Sequence, residues 1–169
     1  MGNSVNANRL RELFKRAYLE HDTLTEATRY LANELFGEYG LVILDGNDRE
    51  LKQLLVPYVE KDLLEKKSFK KVSSTIDQLQ AIPENYGIQV NPREINYFYV
   101  IDGVRERLIE RDGMFYVNDT NISFSKESIL DELKNYPERF SPNVVTRPLY
   151  QEVILPNLCY IGGGGELAY

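Results

Sequence analysis

A run of four glycines near the end of the chain is the first feature that could do chemistry. Gly162–Gly165 follows an apolar segment, Leu158–Ile161, and precedes Glu166-Leu167-Ala168-Tyr169. Glycine lets the backbone approach a ligand closely, and a helix N-terminus attracts anions, so a strand, a glycine turn and a helix start predict an anion site. The candidate ligand-binding residues of this turn are Gly162, Gly163, Gly165 and Glu166. A purely structural turn fits the same residues equally well.

The same turn formally fits a dinucleotide fingerprint. Residues 163–168 match G-x-G-x-x-A after a predicted strand, but four adjacent glycines satisfy many patterns. A nucleotide-dependent oxidoreductase of the NAD type is therefore an alternative. An acidic residue about 20 positions beyond Tyr169 would support it.

Arg147-Pro148 is the second candidate site. The residue before a proline is extended and proline suits the first turn of a helix, so Arg147 should stand at the entrance of a helix over 148–154. A guanidinium there can bind a carboxylate or phosphate through two hydrogen bonds. We expect Arg147 and the glycine turn to act together on an anionic group, although a surface or structural arginine also fits. The neighbouring polar candidates are Asn143, Tyr150, Gln151 and Glu152.

Other reactive residue types give weaker signals. His21 is the only histidine and has no cysteine or histidine at ligand spacing, so no metal site is predicted. Cys159 lies in an apolar segment, where a cysteine is usually a small hydrophobic residue. Asp45-Gly46 favours a loop over a ligand site. The catalytic acid or base remains unassigned.

Composition narrows the class of protein. The 169 residues carry a net charge of −6, which argues against nucleic acid or an anionic membrane as the main partner. A single cysteine excludes an internal disulfide, and neither a signal peptide nor a long apolar span is present, so we expect a cytoplasmic protein with small-molecule ligands. The oligomeric state is not predicted.

The elements that must position these residues follow from periodicity and turn signals. Helical spacing predicts two helices separated at His21-Asp22, and Thr23-Leu24-Thr25-Glu26 has the form of a capping box. The apolar run Leu41–Leu44 predicts a parallel strand covered on both faces. Asp102-Gly103 and Asp112-Gly113 predict hairpin turns between three β-rich segments. The segments are Tyr97–Ile101, Val104–Glu110 and Met114–Val117.

These elements predict an α/β fold, a partial Rossmann-like core of parallel strands and helices with an inserted small antiparallel meander. Residues 1–67 would form an αβα part of the core, 68–140 a helical and antiparallel insertion, and 141–169 the return to the core. We expect the strands at Leu41–Leu44 and Leu158–Ile161 to share one parallel sheet, and the meander to form a separate sheet.

Two strings of residues resemble a known family. Arg-Pro-Leu-Tyr-Gln-Glu at 147–152 and Tyr-Ile-Gly-Gly-Gly-Gly-Glu-Leu-Ala-Tyr at 160–169 are similar to the core of the BshC family, the cysteine-adding enzymes of bacillithiol biosynthesis. Residues 25–30, 34–45 and 122–127 look like further parts of that core. The resemblance covers roughly residues 8 to 169, and Gly164 stands where the family more often has proline.

The resemblance implies a Rossmann-like core with connecting-peptide insertions, like that of class I aminoacyl-tRNA synthetases. It implies a ligase that joins cysteine to glucosaminyl-malate as an amide, with ATP activating the cysteine carboxylate and ATP or ADP as the nucleotide. Compared with the family pattern, the chain is expected to be an internal fragment that is inactive by itself. It would lack the family's N-terminal half-core and its C-terminal coiled coil. A non-catalytic binding module that uses the meander aromatics is a further alternative, although alternating aromatics more often fill a core.

Overall fold

The structure is a computed structural model that describes residues 4–82, 87–159 and 161–167, with the backbone alone at Glu166 and Leu167. The chain divides into two compact units, residues 1–48 and residues 49–169. The described segments are mixed helix and strand, which agrees with the predicted α/β class.

The first unit contains a pair of helices. Helix α1 runs over Val5–Leu19 and α2 over Leu24–Phe36, followed by a 3-10 turn over Gly37–Tyr39. Thr23 accepts a hydrogen bond from the Glu26 backbone N–H, while the Glu26 side chain accepts one from the Thr23 N–H. The predicted capping box is therefore confirmed. The turn ends at Gly40, whose φ of +81° is a conformation that favours glycine.

The structure does not confirm the predicted parallel strands. Leu41–Leu44 is irregular, with Val42 69% exposed, and the described part of 158–161 is irregular too, with Leu158 and Ile161 exposed. A parallel strand forms only where neighbouring chain completes its backbone hydrogen bonds. Among the described residues, no segment provides such a neighbour for either run.

The second unit is built on a five-stranded antiparallel sheet. Its strands are β1 (Tyr97–Ile101), β2 (Val104–Arg111), β3 (Met114–Val117), β4 (Ser123–Phe124) and β5 (Phe140–Pro142), in the order β4-β3-β2-β1-β5. Both predicted hairpins are present. Asp112 and Gly113 have φ of 52° and 76°, the left-handed pair that a tight two-residue hairpin turn requires.

The second unit also contains helices. They are α3 (Arg49–Glu65), α4 (Lys67–Gln80), α5 (Lys126–Asn135), α6 (Arg147–Ile154) and the short α7 (Gly164–Leu167). Pro57 lies inside α3, which runs as one helix from 49 to 65. Ser125 caps α5 by accepting a hydrogen bond from the Ser128 N–H. The predicted α6 over 148–154 is confirmed.

The core of this unit joins α3, α5 and α6 to one face of the sheet. Tyr97, Tyr99 and Phe115 are buried in it, whereas Tyr116 is partly exposed. Alternate aromatics of the meander therefore fill the core, as expected from the period of two in a strand. Phe140 of β5 and Tyr150 of α6 belong to the same core. The status of the meander as an insertion, and the division at residues 67 and 140, stay predictions.

Candidate functional site

The entrance to α6 is held by a network of hydrogen bonds around Asn143. The Asn143 side-chain oxygen accepts hydrogen bonds from the N–H of Val145 at 2.9 Å and of Thr146 at 3.4 Å. Its backbone carbonyl accepts from the N–H of Arg147 at 2.8 Å. This turn satisfies N–H groups that a helix start leaves open, so Arg147 begins α6 with Pro148 behind it.

A cavity of about 370 Å³ opens beside α6. We call it the α6 cavity; it is lined by Arg147, Pro148, Gln151, Glu152, Asn157, Leu158 and Cys159. Arg147 is exposed and donates from Nη1 to Oε1 of Gln151 at 3.4 Å. Two of the polar candidates named from the sequence, Gln151 and Glu152, thus line one cavity with the arginine.

The Glu152 carboxylate is a second charged group that lines the α6 cavity. It accepts hydrogen bonds from Asn157, from the backbone N–H at 3.3 Å and from Nδ2 at 2.8 Å. A guanidinium and a carboxylate therefore line the cavity together, with apolar surface from Pro148 and Leu158. This arrangement suits a small polar molecule that carries an anionic group for Arg147 and a hydrogen-bond donor for Glu152.

Two other candidates occupy positions that the sequence did not predict. Both ends of the Asn143 amide are used inside the protein, because its Nδ2 also donates to Oδ1 of Asn96 at 3.1 Å. Tyr150 is 5% exposed and packs in the core rather than facing the α6 cavity. The ring of Tyr150 thus supports the helix that carries Arg147.

Sequence reasoning missed Lys52, a buried cation next to Tyr150. Lys52 is 2% exposed, donates to the Phe140 carbonyl at 2.7 Å, and places its Nζ 5.5 Å from the centroid of the Tyr150 ring. One signal was present in the sequence. Position 52 stands three, four and seven residues before the buried Leu55, Val56 and Val59, so this lysine occupies the buried stripe of α3.

The glycine turn stands apart from the α6 cavity in this structure. Gly163, Gly164 and Gly165 are exposed, and a Cβ atom added at any of them would meet no atom within 4 Å. Gly162 is half-buried. None of these glycines is among the residues that line the cavity. The described side chains give no packing reason for glycine here, and the role of Glu166 lies outside the described side chains.

A second polar network lies under the sheet. The Tyr99 hydroxyl donates to Oε1 of Glu132 at 2.6 Å, and Arg139 forms an ion pair with the same oxygen at 2.6 Å. Burial, reinforced by the hydrogen bond to Glu132, raises the pKa of Tyr99 to about 12. The bond to Glu132 raises the pKa of Arg139. This network joins β1, α5 and the 3-10 turn Pro137–Arg139, which gives it a structural role.

Neither metal ligands nor a membrane span were found in the part of the chain that the structure describes. Within residues 4–82, 87–159 and 161–167, no three His, Cys, Asp or Glu side chains are grouped so that they could hold a metal ion. Over the same ranges, no helix has both the length and the apolar character needed to cross a bilayer.

Comparison with known proteins decides the family. The family model for the N-terminal Rossmann-like domain of BshC, of bacillithiol biosynthesis, matches residues 1–169. This chain belongs to the BshC family. The resemblance seen in the sequence is thereby confirmed, and the matched residues include helix α6 and the glycine turn.

The curated relatives are much longer than this chain. A protein of Flavobacterium johnsoniae named "Putative cysteine ligase BshC" is 57% identical over 169 residues, which is all of this chain and 31% of the relative. One of Christiangramia forsetii with the same name is 58% identical over the same shares. One of Shouchella clausii is 38% identical over 96% of this chain and 30% of the relative. The chain therefore spans about 31% of the length of the first two relatives.

Proposed function

We propose that the full-length protein is a ligase that joins cysteine to glucosaminyl-malate through an amide bond, and that this chain contributes part of the substrate site. Membership of the BshC family and the relatives' name, cysteine ligase, support the reaction class. The observation that carries the site is the α6 cavity, where Arg147 and Glu152 line one opening. The NAD-type oxidoreductase is not favoured by the family match.

The proposed chemistry needs an activated carboxylate. In the first step an oxygen of the cysteine carboxylate bonds to a phosphorus of ATP, and a phosphate-containing group of the nucleotide leaves. In the second step the amine of the sugar acceptor bonds to the carboxyl carbon, the activating group leaves with its electron pair, and the nitrogen loses a proton. Both steps place anionic oxygens near the reacting carbon, which is the charge that an arginine stabilises.

Each candidate residue has a place in this proposal. Arg147 binds a substrate carboxylate or a nucleotide phosphate through its planar guanidinium, with Gln151 orienting it. Glu152 accepts a hydrogen bond from an ammonium or hydroxyl group of the substrate. Tyr150 and Asn143 support the helix and its entrance. The glycine turn, with Gly162, Gly163, Gly165 and Glu166, is proposed to approach the same anion in the full-length protein, which supplies the remaining walls.

The test is product formation by the full-length protein. Purified protein is incubated with cysteine, glucosaminyl-malate and ATP, and the amide product is followed by mass spectrometry, with each component omitted in turn. We expect product only in the complete mixture and a strong loss with Arg147→Ala. Product without any nucleotide would contradict the proposed activation step. No product in the complete mixture, from a protein with intact circular dichroism, would contradict the proposed reaction.

A further inference from the structure

Asn96 connects three segments of the second unit from a fully buried position. It lies immediately before β1 and is 0% exposed. Its Nδ2 donates to Oγ of Ser68 at 2.9 Å and to the Arg93 carbonyl at 2.7 Å. Its Oδ1 accepts from the Arg93 N–H and from Nδ2 of Asn143, each at 3.1 Å. The side chain therefore uses both amide hydrogens and both oxygen lone pairs.

The backbone of Asn96 holds the same entrance turn. Its carbonyl accepts hydrogen bonds from the N–H of Asn143 at 3.1 Å and from Oγ1 of Thr146 at 2.7 Å. Thr146 is 1% exposed and directly precedes Arg147. Asn143 and Thr146 thus donate three hydrogen bonds to Asn96, the buried residue that precedes β1.

These contacts leave few ways for the entrance turn to move. Asn143 is anchored to Asn96 at both its backbone and its side chain, and its other contacts set the path of Val145 and Thr146. The first N–H of α6, that of Arg147, is bonded to the Asn143 carbonyl. A displacement at Asn96 is therefore passed through two residues to the guanidinium that lines the α6 cavity.

We propose that Asn96 is a positioning residue for Arg147: without touching a ligand, it fixes the turn from which the guanidinium meets the substrate anion. This rests on the proposed function, in which Arg147 binds that anion. An aspartate in its place would lose both donors and bury a charge, and a longer glutamine would not fit the four contacts. The role therefore requires asparagine specifically.

The experiment measures kcat and KM of the full-length protein for cysteine, glucosaminyl-malate and ATP. Asn96→Ala removes the side-chain contacts of Asn96. Thr146→Val removes the Oγ1 hydrogen bond to the Asn96 carbonyl while keeping the shape of a residue that is 1% exposed. Arg147→Ala identifies the substrate whose KM depends on the arginine. We expect Asn96→Ala and Thr146→Val to raise the KM of that same substrate, by on the order of tenfold for Asn96→Ala. In an Arg147→Ala background, neither should change that KM by more than about twofold.

Thr120→Val is the matched control. Thr120 bridges the turn between β3 and β4 by donating to the Val117 carbonyl at 2.8 Å and accepting from the Ile122 N–H at 3.1 Å. Loss of the Thr120 hydroxyl should lower the melting temperature but leave every KM unchanged. A merely structural Asn96 would behave in the same way.

The outcomes separate the two proposals. If Arg147→Ala leaves kcat and every KM unchanged, the anion site itself is wrong and the positioning role fails with it. If Arg147→Ala raises a KM while the folded Thr146→Val and Asn96→Ala variants do not, only the positioning role is overturned. Effects of Asn96→Ala that add fully to those of Arg147→Ala also overturn it, because a residue that acts through Arg147 has nothing to act on once the arginine is gone. If Asn96→Ala does not fold, Thr146→Val decides by the same criteria.

Discussion

At the scale of single residues, the described structure separates side chains that line the α6 cavity from those that hold it in place. Arg147, Gln151 and Glu152 line it, whereas Tyr150 and Lys52 pack behind the helix. All of these except Lys52 were candidates from the sequence, because polar residues at a helix entrance are a local signal. Which of them faces inward depends on residues far away along the chain.

The first residue-level prediction concerns the shape of the cation. Arg147→Lys in the full-length protein keeps the charge but loses the planar pair of donors, so turnover should fall by roughly tenfold or more. Arg147→Ala should fall further. Because Arg147 is exposed, far-UV circular dichroism and the melting temperature should stay near those of the unsubstituted protein. Normal turnover by both variants, or unfolding of both, would make Arg147 a structural residue.

The second residue-level prediction compares two buried tyrosines. The Tyr97 hydroxyl lies beside Thr146 and Asp62 but makes no hydrogen bond of good geometry, and burial raises its pKa. Tyr97→Phe removes an unsatisfied buried group, so the free energy of unfolding should stay the same or rise by up to about 2 kcal/mol. Tyr99→Phe loses the bond to the Glu132 carboxylate and should lower it by about 1.5–3 kcal/mol.

Urea denaturation of the two purified variants beside the unsubstituted protein measures this difference. Equal losses of stability in both variants would show that the Tyr97 hydroxyl does contribute a bond.

At the scale of elements, the hydrogen bonds made by side chains explain how helices and strands are tied together. Asp62, in the last turn of α3, accepts from the Ser68 N–H at 2.5 Å and so satisfies a donor at the start of α4. Lys66, between the two helices, has a φ of 53° and bridges Glu94 and Glu110. Strand β1 is tied to α5 in a similar way, by the hydrogen bond and ion pair that join Tyr99, Glu132 and Arg139.

That network predicts a loss of stability at alkaline pH. The folded protein raises the pKa of Tyr99 from 10.0 to about 12, chiefly by burial. Between these values the folded state binds more protons than the unfolded state, so stability falls as pH rises. The stabilisation of the unsubstituted protein over Tyr99→Phe should be complete below pH 10.0 and shrink towards pH 12. Urea denaturation of both proteins at several alkaline pH values tests this; a constant difference would contradict it.

At the scale of the whole molecule, this chain spans about 31% of the length of its relatives from Flavobacterium johnsoniae and Christiangramia forsetii, so its activity is a question about the longer protein. We expect the chain alone to fold but to form no amide product from cysteine, glucosaminyl-malate and ATP, because the proposed site has walls outside these residues. The full-length protein is the positive control in the same assay. Product from the chain alone, above a reaction without protein, would show that those walls are dispensable and that the site is misplaced.

Local signals in the sequence determined much of this protein. The capping box at Thr23 and the hairpin turns at Asp102-Gly103 and Asp112-Gly113 were predicted correctly, and the start of α6 was predicted to within one residue. Each depends on residues within a few positions of one another, where conformational preference and hydrogen bonding are set by the side chains themselves. The family was also readable from two short strings.

Only the tertiary structure decided the contacts between distant segments. The run Leu41–Leu44 has the composition of a buried strand, yet the described chain pairs nothing with it, and a strand exists only with its neighbour. Lys52 is buried because Phe140, 88 residues later, accepts its hydrogen bond, and Asn96 holds Thr146 across 50 residues. Such partners leave no local pattern, because burial and pairing depend on where the folded chain brings its remote parts.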